Sequence, residues 1–156
     1  MNENDYIYAQ DCASVDNIIS HLVDCDSLFT PPLSSRVNIT EYAKKIHLNA
    51  SSHECWFGST LIALIAFYKN SQDIGPAYIT SVSVCAAHHG KGIAESLLKE
   101  ALTNMSGINI KQVTLEVSED SYKPISLYKK LGFITESLDN GVITMSLDLL
   151  TYKGEI

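Results

Sequence analysis

The sequence predicts a single α/β domain over residues 1–156, with strands and helices in the order βααβββαβαββ. Three observations carry that reading. Short alternating or apolar segments are interleaved with segments of helical periodicity. Turn signals at Gly58-Ser59 and Asn140-Gly141 each separate two strand-like segments, and the first reads as a hairpin. A glycine pair, Gly90 and Gly92, stands between a strand ending in Val82-Ser83-Val84 and an amphipathic helix.

The elements follow in order. Residues 6–10 alternate and form the first strand. Ser14 is placed to cap a helix whose apolar face holds Val15, Ile18, Ile19, Leu22 and Val23. Residues 25–38 read as a loop broken by Pro31-Pro32. Thr40 is the expected cap of a second helix, with Tyr42, Ile46 and Ala50 facing inward. Strands are predicted over 53–57, 60–69 and 77–84. After the glycine loop, Ile93, Leu97, Leu98, Ala101, Leu102 and Met105 make one apolar stripe. A fifth strand over 111–117, a fourth helix over 121–131, a sixth strand over 133–136 and a last strand over 142–147 complete the chain.

Composition narrows the class. A chain of 156 residues, about half of them apolar, buries a real core and is not disordered. The net charge of −7 argues against a nucleic-acid partner, which needs a basic face. No charged-then-apolar leader opens the chain; Met1 to Asp5 is polar and acidic. The longest apolar run, residues 61–68, is far short of a membrane span. Cys12, Cys25, Cys55 and Cys85 show no CxxC spacing and no metal framework. They read as free thiols packed as small apolar groups in a reducing cytoplasm. His88 and His89 are adjacent and cannot easily face one metal ion, so no metal is expected. The expectation is a cytoplasmic monomer or homodimer with no membrane and no nucleic-acid partner.

The glycine loop carries the chemistry. Glycine lets backbone approach a ligand closely, and the first amides of a helix have no internal partner. Together with the positive end of the helix dipole they form a seat for phosphate. The loop has neither the GxGxxG spacing of dinucleotide folds nor the GxxxxGK[ST] pattern of nucleotide triphosphatases.

Residues 89–94 (His-Gly-Lys-Gly-Ile-Ala) resemble the Arg/Gln-x-x-Gly-x-Gly/Ala motif of the GNAT N-acetyltransferase superfamily. Downstream, Leu115-Glu116-Val117 followed by Ser121, Pro124 and Leu127-Tyr128-x-Lys130-Leu131-Gly132-Phe133 is similar to that superfamily's later motif. The sequence departs from the pattern at four positions: Ala86 for Pro, His89 for Arg or Gln, Ser121 for Asn, and Pro124 for Ala. Pro124 falls in the first helical turn, where no amide donor is needed.

The resemblance implies a central mixed, mostly antiparallel sheet, splayed between its fourth and fifth strands, with flanking helices. It implies acetyl-CoA as co-substrate, its pyrophosphate on His89, Gly90, Lys91, Gly92, Ile93 and Ala94. Backbone at Val82, Ser83 and Val84, beside a bulge, is implied to receive the pantetheine arm and thioester carbonyl. Tyr128 is implied to protonate the leaving thiolate; it lies two helical turns after Ser121, on the same helix face. Ser121 has two readings, helix cap and cofactor contact. Lys91 is either a phosphate-screening charge or a solvated lysine. Glu54 and Glu116 lie on predicted strands, where a carboxylate is more often structural or solvent-facing, and Tyr78 and Ser81 of the fourth strand are placed to align a water chain; none is singled out as general base.

The acceptor is expected to be a small-molecule primary amine, attacked directly in a ternary complex. The alternative is a non-catalytic acyl-CoA sensor. Phe29 and Arg36 lie in the segment that borders the acceptor side in the family. Arg36 is the only arginine, beside ten lysines, and its planar fork suits an anion on the acceptor. A salt bridge that pins the loop or caps a helix is the other reading of Arg36.

Overall fold

The computed structural model describes residues 5–69 and 75–152; residues 1–4, most of the acidic opening segment, lie outside them. Seven strands form one sheet: β1 (Tyr6–Gln10), β2 (Ser51–Phe57), β3 (Thr60–Tyr68), β4 (Ala77–Val84), β5 (Gln112–Ser118), β6 (Ile134–Asp139) and β7 (Val142–Asp148). Their spatial order is β1-β2-β3-β4-β5-β7-β6. Every neighbouring pair is antiparallel except β4 and β5, which run parallel. Four helices flank the sheet: α1 (Val15–Cys25), α2 (Ile39–Asn49), α3 (Ile93–Gly107) and α4 (Tyr122–Leu131).

The sheet separates two apolar layers. On one face Ile18 and Leu22 of α1 and Ala43 and Ile46 of α2 pack on Leu64 and Ala66 of β3. On the other, the predicted stripe of α3 is buried in full, against Ile65, Phe67, Val113, Tyr128 and Met145. Each large apolar side chain of that stripe contributes roughly 2 kcal/mol by leaving water.

Two local features position the site. Parallel pairing of β4 with β5 covers only Ala77↔Val113, Tyr78↔Thr114 and Ile79↔Leu115, after which the strands part. The β5-facing backbone of β4 beyond Ile79 therefore has no sheet partner. A register shift against β3 leaves Thr80 as an extra residue, because Ala66 faces Ser81 while Phe67 faces Ile79. The bulge thus lies upstream of the expected 82–84, at the point of divergence. Its carbonyl accepts a 2.6 Å hydrogen bond from the Tyr42 hydroxyl.

Some sequence expectations change. α1 is rotated: Ile18, His21, Leu22 and Cys25 are buried while Val23 faces solvent. Burying the ring and thiol is feasible because both find polar neighbours on the sheet. α2 is capped by Asn38, whose side chain accepts from Glu41 N–H, and not by Thr40. The loop at 25–38 contains two short 3₁₀ turns, Asp26–Leu28 and Leu33–Ser35. Asp26 ties them together by accepting from Ser34 N–H and Ser34 Oγ at 2.7 and 2.6 Å.

Candidate active site

The parted strands open onto two adjoining cavities of about 560 and 660 Å³. The smaller is a groove over the start of α3; the larger lies against the 28–37 loop, β4 and β5. Phe29, Val82, Pro124 and Tyr128 line both, so these residues mark the junction.

The groove is built on the glycine pair. Gly90 and Gly92 have φ of 78° and 75°, left-handed values that other residues adopt at a cost. A side chain at either would meet no atom within 4 Å, so their open face is the groove itself. Gly92 occupies the N-cap with no side-chain cap, and the first helical bond runs from Ser96 N–H to Gly92 O. The amides of Ile93, Ala94 and Glu95 are therefore without helical partners, as a phosphate seat requires. Glu95 brings a carboxylate to this seat. Lys130 and Lys99, each 2.9 Å away, neutralise it and hold its carboxyl below the usual range.

The predicted cofactor residues are brought together unevenly. Val82, Ser83, Val84, His89, Gly90, Gly92 and Ala94 line the groove, while Ile93 lines it with its side chain buried in the core. Lys91 is exposed and lines neither cavity. The His89 ring turns back: its Nε2–H donates to Val84 O at 2.6 Å. Ser83 presents backbone only, because its hydroxyl donates to His21 Nε2 at 2.8 Å. His21 in turn donates from Nδ1 to Leu61 O at 3.0 Å, and burial holds this ring neutral, down at about 4. Ser121 is the N-cap residue of α4 without a side-chain cap bond, and lines the larger cavity. Lys123 and Leu127 of α4 complete the groove. Sequence reading passed over them because their positions are unremarkable until α4 is placed beside α3.

Tyr128 is buried at the junction and tilts against Phe133. Among the described residues its hydroxyl has no hydrogen-bond partner, and burial pushes its phenol well above the usual range. It holds its proton throughout the neutral range.

The larger cavity gathers charge and hydroxyl groups. Arg36 lines it, and no carboxylate of the described residues pairs with its guanidinium. The salt-bridge reading of Arg36 is not realised. Instead its charge acts on the phenols of Tyr42 and Tyr78. Tyr78 stands 3.5 Å from Glu116 Oε1; burial and that carboxylate push its phenol up to about 12. Ser81 Oγ is buried in the cavity wall, close to the Tyr42 hydroxyl but without a well-formed hydrogen bond among the described residues. Glu54, by contrast, is fully buried and saturated. It accepts from Cys12 N–H, Ala13 N–H, Ser52 Oγ and Trp56 Nε1, and so anchors the entry to α1.

The comparisons agree with this geometry. The family model described as acetyltransferase (GNAT) matches residues 20–133. L-2,4-diaminobutyric acid acetyltransferase of Vibrio parahaemolyticus is 26% identical over 133 residues, covering 85% of this chain and 70% of that protein. The ribosomal-protein-S18-alanine N-acetyltransferase of Escherichia coli superposes with a TM-score of 0.73 at 15% identity, covering 92% and 94% of the two chains. The PaiA N-acetyltransferase of Thermoplasma acidophilum, solved with coenzyme A, gives 0.70 at 17% identity over 91% and 99%. The splayed sheet, the glycine-opened helix between its parting strands and a family match across most of the length lead to one assignment: this chain belongs to the acetyltransferase (GNAT) family.

Proposed function

We propose that the protein transfers the acetyl group of acetyl-CoA to a primary amine of a small acceptor that also carries a carboxylate. The observation that carries this reading is Tyr128, a buried proton-bearing phenol at the junction of an anion-accepting groove and a charged cavity. The amides of residues 93–95 hold the pyrophosphate, with Lys123 adding charge. The backbone of β4 beyond Ile79 that β5 leaves without a strand partner, apart from the Thr80 and Val84 carbonyls, receives the pantetheine arm and polarises the thioester carbonyl.

An amine of lysine type is about 10³-fold protonated near neutral pH, so it must lose a proton before attack. Glu116, exposed in the larger cavity, is the carboxylate placed to receive the ammonium and pass its proton to solvent. The nitrogen lone pair attacks the thioester carbon, the nitrogen gives up its second proton through Glu116 to solvent, and the C–S bond breaks. Tyr128 donates its proton to the departing sulfur, and the phenol regains one from solvent. No covalent acetyl-enzyme is needed. Cys85 is buried, and burial pushes its thiol well above the usual range, which makes it a poor nucleophile.

Arg36, with no ion pair among the described residues, supplies a forked cation for the acceptor's carboxylate. The Vibrio relative acetylates an amino acid with a side-chain amine, the same combination of groups. Tyr128 at the junction supports turnover over a sensor role.

Tyr128→Phe is the direct test. It should lower kcat about 10²-fold or more while the acetyl-CoA Kd stays within about twofold, because the hydroxyl acts on the leaving group. Normal turnover in the variant removes Tyr128 from the chemistry.

A further inference from the structure

We propose that His21, Cys25 and Cys85 form a binding site for one soft closed-shell metal ion, Zn²⁺ or Cu⁺. The three side chains come from α1 and from the residue that follows β4, and all three are buried. Their donor atoms form a nearly equilateral triangle. Cys25 Sγ and Cys85 Sγ are 3.8 Å apart, and His21 Nδ1 lies 3.9 Å from the first and 3.6 Å from the second. The centre of such a triangle is about 2.2 Å from each corner, close to Zn–S and Zn–N bond lengths of about 2.3 and 2.0 Å. His21 Nδ1 points at Leu61 O, and Cys25 Sγ lies as close to Nε2 (3.8 Å) as to Nδ1 (3.9 Å), so the ring turns to aim Nδ1 at the two sulfurs.

Three further features fit a cation. Two thiolates and one imidazole match the preferences of Zn²⁺ and Cu⁺ over hard ions. Two thiolates offset a dication's charge in full, and the thiol protons leave to solvent as it binds. Asp24, one residue before Cys25, adds a negative charge that acts on His21, Cys25 and Cys85 alike. Ser83 supplies the outer partner a ligating histidine needs. In the turned ring Nε2–H becomes the donor, and Ser83 Oγ, 2.8 Å from Nε2 before the turn, is the hydroxyl offered to it. The cost is the present Nδ1–H bond to Leu61 O.

An ion here ties the last residue of α1 to the end of β4, directly before the segment that carries Phe29 and Arg36. It is separate from the groove chemistry, and it stands whether or not the acetyl-transfer reading holds.

The test is zinc binding to the full chain, reduced and stripped with chelator, in competition with a chromogenic zinc indicator. Wild type should take up one Zn²⁺ with submicromolar Kd, and Co²⁺ should give a thiolate-to-metal charge-transfer band. Cys85→Ser and Cys25→Ser should each weaken Zn²⁺ binding roughly 100-fold or more and remove that band. Cys12→Ser, which alters the exposed thiol, should change neither. Anaerobic Cu⁺ competition then says which ion binds more tightly. Circular dichroism and cooperative thermal unfolding establish that the variants are folded. Absence of stoichiometric binding to wild type, or binding that survives the double Cys25/Cys85 replacement in folded protein, overturns the proposal. So does a Cys25–Cys85 disulfide in protein purified without reductant.

Discussion

Individual residues at this site are set by what surrounds them. His21 is the clearest case. Its ring is buried between Leu61 O and Ser83, and burial holds it down at about 4, against an ordinary value near 6.5. The folded state therefore disfavours the charged ring. Its stabilising contribution is fully present above pH 6.5, where the unfolded ring is also neutral. It is lost as pH falls toward 4, because the unfolded chain then binds the proton more readily. Over that window the loss is on the order of 3 kcal/mol. Wild type should lose more Tm between pH 7 and pH 4.5 than His21→Gln, measured by thermal unfolding. Parallel slopes for the two proteins would mean the ring is not held neutral. At this scale the sequence was partly legible. Gly90, Gly92 and Tyr128 stood out because their motifs are local. The company of His21 was not, since Cys25 and Cys85 lie 4 and 64 residues away and no spacing rule joins them. Glu54, which the sequence does not single out as base, is a structural acceptor, a role visible only in the amides that meet it.

Secondary-structure elements were legible where one signal dominated. The six-residue stripe of α3 was buried as read, and the turns at 58–59 and 140–141 join β2 to β3 and β6 to β7. α1 was misjudged because hydrophobicity ranks Val23 above Cys25 and His21. The packed face depends on which groups the sheet satisfies. At α2 both Asn38 and Thr40 are capping types, and only the chain's entry angle selects Asn38. The start of α3 carries a prediction. Gly92 has φ of 75° and open space beyond its missing Cβ. Gly92→Val strains the left-handed backbone and places a branched side chain over the amides of residues 93–95. Acetyl-CoA affinity should fall at least about 10-fold by calorimetric titration, as one lost charge-assisted contact already accounts for that much. Unchanged affinity in a folded variant would move the phosphate seat elsewhere.

At the scale of the whole molecule, function follows from one discontinuity. The sheet is continuous from β1 to β4 and from β5 to β6. It is joined by only three parallel pairs, then parts at the Thr80 bulge. That opening leaves backbone unpaired, places the α3 N-terminus on one side and Arg36 with Glu116 on the other, and puts Tyr128 between them. No run of residues encodes the splay. It was expected only through resemblance to a family, because it depends on how strands distant in sequence pair. The central claim is that this opening joins acetyl-CoA to an amine that carries a carboxylate. The most direct measurement is the initial rate of coenzyme A thiol release with 2,4-diaminobutyrate and with its decarboxylated counterpart, a plain diamine. The account predicts amine-dependent release with both, and a KM for the diamine about 10-fold or more above that for the amino acid, because Arg36 loses its anion. Equal KM values would contradict the role of Arg36, and no release above background with any amine would contradict acetyl transfer itself.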